Sequence, residues 1–268
     1  MAPGDGLTEA LVSLQALTER LRRDCPWDRE QTARTIVPHT VEEAYEVADA
    51  ALAGRPDRLL DELGDLLFQV YFLALLLSEQ GEGGLEEVAR TIHTKLVRRH
   101  PHVFGDVEAR TAGRVRERWE RIKRDDEGRE GVFHDVAASL PALLLARKVQ
   151  RRAAAVGYDW PDVAGPLAKL REEVDELAAE IERLGEPSAE TEPDARIVDE
   201  VGDALFTVVN VARRLNVDPE LALRQTTGKF VSRVERAAAL AAEHGEAWTE
   251  LALDDQERYY EQVKEASG

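Results

Sequence analysis

Four features occur twice along this chain, in the same order, and that internal duplication constrains its fold more than any single residue does. A tryptophan and an aspartate share a turn, as Cys25-Pro26-Trp27-Asp28 and again as Gly157-Tyr158-Asp159-Trp160. A Glu-Glu-x-x-Glu block follows, with Glu42, Glu43 and Glu46 in the first copy and Glu172, Glu173 and Glu176 in the second. Next comes Glu-x-x-Asp, Glu62 with Asp65 and Glu200 with Asp203, each opening onto an apolar run. A Lys-x-x-x-Arg pair closes each copy, Lys95 with Arg99 and Lys229 with Arg233. At 268 residues the chain has room for two modules, read here as residues 1–127 and 139–268 joined by a linker at 128–138. The polar stretch from Asp125 to His134, with Gly128 and Gly131, marks that linker.

Apolar residues recur at three- and four-residue spacing through Leu11, Leu14, Leu17 and Leu21, through Leu59, Leu63, Leu66, Leu67 and Val70, and through Val198, Val201, Leu205, Val208 and Val209. Alternating strand patterns are nearly absent, so the expected fold is all-α, two tandem helical bundles. Pro26, Pro38, Gly54-Arg55-Pro56, Gly81 to Gly84, Pro101, Gly105, Gly157, Pro161, Gly165-Pro166 and Gly185 to Pro193 read as helix breakers. The longer loop between the acidic blocks of the second copy, Gly185 to Arg196, is expected to be exposed and mobile. Phe68, Phe72 and the leucines around them read as core, Trp27 and Trp160 as anchors, and no broad exposed apolar stripe is evident.

On a helix, residues three apart share a face, so Glu43 and Glu46 project together, as do Glu62 and Asp65. A short connection through Gly54 and Pro56 favours antiparallel packing, which would bring four carboxylates together. The second copy repeats this with Glu173, Glu176, Glu200 and Asp203. Crowded negative charge needs a cation, and an oxygen-only ligand set favours Mg²⁺ or Mn²⁺ over zinc or copper. No histidine stands in either quartet, which argues against a ferritin-like di-iron site. A net charge of −18 makes binding to nucleic-acid backbones unfavourable. A small polyanion remains compatible with it if bound cations invert the local field. Neither a signal peptide nor a membrane span is expected, since the longest apolar run, Val70 to Leu77, is far too short. With the single cysteine, Cys25, this suits a cytoplasmic protein.

The segments Cys25 to Asp28, Thr40 to Glu46, Asp61 to Leu67, Arg98 to Phe104 and Gly157 to Trp160 resemble the MazG family of tandem-domain nucleoside triphosphate pyrophosphohydrolases. The resemblance runs from about Leu11 to Lys264. It implies an α-helical NTP pyrophosphatase fold, an intertwined homodimer, and Mg²⁺-dependent cleavage of nucleoside triphosphates to the monophosphate and pyrophosphate. It makes Glu43, Glu46, Glu62 and Asp65, and Glu173, Glu176, Glu200 and Asp203, the metal ligands. Glu42 and Glu172 would stand just outside them, where either could orient or deprotonate a water.

Within that resemblance Lys229 and Arg233 are placed to hold the β- and γ-phosphates, with Lys95 and Arg99 as their counterparts and Lys148 as a further phosphate candidate. Tyr260 stands where the family often has a tryptophan, and Gly228 where it often has an asparagine, so base selectivity is the property most open to change. His100 and His102 read as turn-shaping residues. The second module is expected to carry most of the turnover. Two alternatives stand beside this reading: a narrow-specificity all-α dUTP or dCTP pyrophosphatase, and a nucleotide-binding regulatory scaffold with little turnover.

Overall fold

The computed structural model describes residues 5–105, 131–133, 136–137, 139–185 and 192–266. Among them every regular element is helical, as the periodicity predicts. The chain divides into two compact units, Met1–Trp119 and Glu120–Gly268. Much of the expected linker at 128–138, and residues 186–191 of the loop between the second pair of acidic blocks, lie outside the described residues.

The first unit contains α1 (Asp5–Asp24), α2 (Pro26–Glu30), α3 (Ala33–Leu52), α4 (Pro56–Glu79), α5 (Leu85–Arg99) and α6 (Pro101–Phe104). Pro26, Pro56 and Pro101 each occupy the first helical position, where a missing N–H costs nothing, so these breakers are also starters. Pro38 does not end a helix: it lies inside α3, which loses one backbone donor there and continues to Leu52, and Gly165-Pro166 likewise falls within the first turn of the helix Ala164–Leu184 rather than breaking it. Thr32 caps α3 reciprocally with Thr35, its hydroxyl accepting from the Thr35 N–H at 3.3 Å while its own N–H donates to the Thr35 hydroxyl at 2.8 Å. Gly54, at φ 62°, turns the chain into α4.

Helices α3 and α4 form the most extensive contact of this unit. Ile36, near the start of α3, packs with Phe72 and Leu76, near the end of α4, so the two helices run antiparallel. Helix α1 lies against α4 and is tied to it by Arg22, which donates to both carboxylate oxygens of Glu79 at 2.8 Å and to the Gln31 carbonyl at 3.0 Å.

The second unit contains α7 (Ala142–Ala155), α8 (Ala164–Leu184), α9 (Ala195–Arg214), α10 (Pro219–Glu243), a 3-10 turn at Trp248–Glu250 and α11 (Leu253–Glu265). Its central hairpin, α8 with α9, repeats α3 with α4, and α7 lies across α9 and α10. A second hairpin, α10 with α11, is held by Ala237, Ala241, Tyr259 and Val263. The tryptophan turn is fastened by Asp159, which accepts hydrogen bonds from both Arg213 and Arg214 at the end of α9. Trp160 lies so close to Gly165 that a Cβ there would come within 1.4 Å of the indole Cδ1.

Two core expectations need correction. Trp27 is 52% exposed and meets His39 edge-on rather than anchoring a core. In α4, Phe72 is buried but Leu60, Leu63, Leu67 and Leu77 are exposed, and in α9 Val198, Val201, Leu205 and Val208 are exposed while Val209 is buried. One hairpin partner covers only part of a helix that is apolar on several sides, so within a single chain an apolar stripe remains on each.

Substitution should separate the two helical glycines of the second hairpin. Gly165→Ala is expected to destabilise the unit by about 1–3 kcal/mol through overpacking against Trp160. Gly202→Ala, whose Cβ would meet nothing within 4 Å, is expected to stabilise by about 0.5–1 kcal/mol as an ordinary helix-interior replacement. Urea denaturation checks both, and equal effects would contradict this packing.

Candidate metal centres

In the first unit the antiparallel hairpin sets Glu43 and Glu46 of α3 against Glu62 of α4, with one carboxylate oxygen from each within 4.8 Å of the others. Glu62 is only 8% exposed and receives Arg58, one turn earlier, at 3.2 Å. One oxygen of Glu43 is buried with no hydrogen-bond partner. The Glu43 carboxyl is held above its ordinary value, first by burial and then by the negative charges of Asp65, Glu46 and Glu42. Asp65 thus acts on this cluster through its field while standing outside the tight trio.

The second unit repeats the arrangement with Glu173 and Glu176 of α8 and Glu200 of α9, again within 4.8 Å of one another. Glu173 is 3% exposed. Burial, followed by Glu176, Glu173, Asp199 and Asp203, holds the Glu200 carboxyl above its ordinary value. Here a cation not expected from the sequence is present: Lys169 Nζ lies 2.7 Å from Glu172, 2.9 Å from Glu173 and 3.9 Å from Glu176. Hydrogen bonds to Glu172 and Glu173 keep its ammonium protonated well above the usual lysine range. Its signal was the spacing, three and four residues before two glutamates on one helix face. In the first copy the aligned residue is His39, which approaches only Glu42, at 3.8 Å. Glu42 and Glu172, the residues expected to handle a water, are both well exposed.

The expected phosphate and base residues lie on other helices than the trios. Lys229 and Arg233 lie one turn apart on α10, and the Tyr260 ring meets Phe230 at 6.0 Å. Phe230, 58% exposed and not singled out from the sequence, therefore shares a face with the expected base platform. Lys148 is half-buried on α7. Lys95 lines a shallow cavity with Leu77, Glu82 and Ile92 at the end of α4 remote from Glu62, and Arg99 ends α5. His100 shapes the turn that follows, its Nδ1 lying 2.6 Å from the Leu96 carbonyl. Among the described residues no ion pair joins Lys95, Lys148, Lys229 or Arg233 to either trio.

The residues fit a hard divalent cation. Every donor is a carboxylate oxygen, the oxygens of each trio lie within 4.8 Å of one another, and a buried Glu43 oxygen has no other partner. Fold and centres together define a class: an all-α protein whose duplicated antiparallel hairpin presents an acidic cluster in each copy. The model of the MazG nucleotide pyrophosphohydrolase domain matches the chain twice, at residues 31–104 and 165–237, and each match contains one hairpin with its trio. The chain belongs to the MazG family.

Nucleoside triphosphate pyrophosphohydrolase of Escherichia coli K12 is 40% identical over 257 residues, which is 94% of this chain and 95% of that protein. A Thermotoga maritima protein, nucleoside triphosphate pyrophosphohydrolase/pyrophosphatase MazG, is 38% identical over 262 residues, 96% of each chain. The nucleoside triphosphate pyrophosphohydrolase of Mycobacterium tuberculosis is 36% identical over 158 residues, 58% of this chain and 48% of its own.

The pH dependence of metal-free stability follows from these carboxyls. Glu43 and Glu200 bind a proton more tightly folded than unfolded, so their crowding penalty is full above the raised pKa and is relieved as pH falls through it toward the ordinary carboxylate value. Asp159 and Glu79, held low by Arg213 and Arg22, behave oppositely: their contribution is present above the unfolded pKa and is lost as pH falls through the folded one. In EDTA the Tm should therefore rise as pH is lowered from about 7 toward 5 and fall at more acid pH. Glu43→Gln should raise the Tm near neutrality and flatten that rise. A Glu43→Gln profile superimposable on the parent's would contradict the crowding.

Proposed function

We propose that the protein hydrolyses nucleoside triphosphates, ribo or deoxy, to the monophosphate and pyrophosphate with Mg²⁺, Mn²⁺ being able to substitute, and so clears nucleotides from the pool. The observation that carries this reading is the convergence of each acidic trio on an antiparallel hairpin, in a chain closely similar to proteins named for that activity. Glu173, Glu176, Glu200 and Asp203 hold the cation in the second module, and Glu43, Glu46, Glu62 and Asp65 in the first. A bound divalent ion would supply charge neutralisation on the phosphates and an acidified water.

The chain's own groups do the rest. Glu172, or Glu42 in the first module, orients the water toward the α-phosphorus and accepts its proton. The bond from that phosphorus to the bridging oxygen breaks, and pyrophosphate leaves with the β- and γ-phosphates held by Lys229 and Arg233. Lys148 adds positive charge nearby, and Lys95 with Arg99 serve the first module. Tyr260 stacks the base, and its contact with Phe230 offers a preformed aromatic face on α10 and α11.

That aromatic face, together with Lys229 and Arg233 on the same helix, favours the second module as the main site of turnover. The exposed apolar stripes of α4 and α9 favour a homodimer in which a second copy covers them. No described helix is long and apolar enough to cross a membrane. Tyr260 in place of a tryptophan and Gly228 in place of an asparagine are where base selectivity would narrow toward the dUTP or dCTP alternative. Two intact trios speak against a scaffold without turnover.

Incubation with ATP and Mg²⁺ should yield AMP and pyrophosphate, with EDTA abolishing the reaction; ADP and phosphate would reject the proposal. Glu176→Gln should lower kcat by at least about a hundredfold more than Glu46→Gln does. The reverse order would reassign the working module and leave the chemistry standing.

Tyr260→Ala should weaken nucleotide binding by about 1–3 kcal/mol, and Tyr260→Trp should bind at least as well as the parent. An unchanged KM in the alanine variant would return Tyr260 to packing between α10 and α11.

A further inference from the structure

We propose that Lys169 is a tethered counterion, its ammonium holding the second acidic centre in the metal-free state, so that a divalent ion enters only by expelling it. This rests on reading the two trios as metal centres. Lys169 Nζ touches Glu173 at 2.9 Å and Glu176 at 3.9 Å, two of the three trio members, and Glu172 beside them at 2.7 Å. An ion seated on the same oxygens would confront the ammonium as a like charge at short range, so the two cannot share the site at full strength. The lysine is free to leave. Its side chain is 37% exposed and sits on a flexible four-carbon stem, so release needs rotamer changes and no backbone movement.

The first centre is built differently. The residue aligned with Lys169 is His39, which reaches Glu42 and none of the trio. The cation that does approach, Arg58, is 61% exposed and pairs with Glu62 alone, leaving an oxygen of Glu43 buried without a partner. Arg196, the aligned counterpart of Arg58 in the second unit, turns instead to Glu180 at 3.6 Å. One chain thus carries an acidic centre whose close cation meets a single trio member, and one in which an ammonium reaches two members and the glutamate beside them. The first centre fills at low free metal, whereas the second fills only when metal, free or carried by a nucleotide, outcompetes Lys169.

The test is Mn²⁺ binding without nucleotide, followed by electron paramagnetic resonance on the full-length chain carrying Glu46→Gln to disable the first centre. Adding Lys169→Gln should tighten Mn²⁺ binding by about tenfold or more, since a positive charge no longer competes. Lys169→Met should do the same and serves in its place if the glutamine variant loses helical content. Tightening of less than about threefold, or any weakening, with binding still abolished by Glu176→Gln, would overturn the counterion role while leaving the metal centre intact. Binding that survives Glu176→Gln would overturn the metal reading itself.

Discussion

Like-charged carboxylates forced together between two packed helices are the condition on which the rest of this protein turns. The register of the first hairpin is set at its apolar end, where Ile36 meets Phe72 and Leu76. Once those contacts are made, antiparallel geometry leaves Glu43, Glu46 and Glu62 facing one another further along, with Glu62 nearly buried. Hydrophobic burial at one end of the hairpin therefore offsets electrostatic crowding at the other, and a cation converts that crowding into binding energy.

Duplication preserved this frame and let its surroundings diverge. In the second unit Asp159 is clasped by two arginines, Trp160 lies over Gly165, and a lysine ammonium pairs with two of the three acids. In the first, the matching tryptophan is exposed, the residue matching the lysine is a histidine that misses the trio, and a buried carboxylate oxygen stays unpartnered. Two acidic trios of the same composition thus stand in different electrostatic settings, and a cation bound in each would experience a different local field.

Much of this was legible in the sequence because it rests on local periodicity. Helix type follows from three- and four-residue apolar spacing, and the pairing of Glu43 with Glu46, or Glu173 with Glu176, from one helical turn. Pro38 misled because a proline within the first turns of a helix costs one donor without stopping it. The leucines of α4 misled because periodicity says which residues are apolar, while exposure depends on how many neighbours are available to cover them. Lys169 was overlooked for a related reason: lysines beside glutamates are common on solvated helices, and only the tertiary placement of Glu173 makes this one the occupant of a centre. The placement of Lys229, Arg233 and Tyr260 relative to the acids involves separate helices, and nothing in local spacing specifies it.

Anomalous diffraction from crystals of the full-length protein grown with Mn²⁺ tests the central claim most directly. The account predicts manganese peaks at about 2.1 Å from carboxylate oxygens of Glu43, Glu46 and Glu62 and, at higher metal concentration, of Glu173, Glu176 and Glu200. Manganese bound elsewhere on the chain, with both trios lacking an anomalous peak at saturating metal, would contradict it.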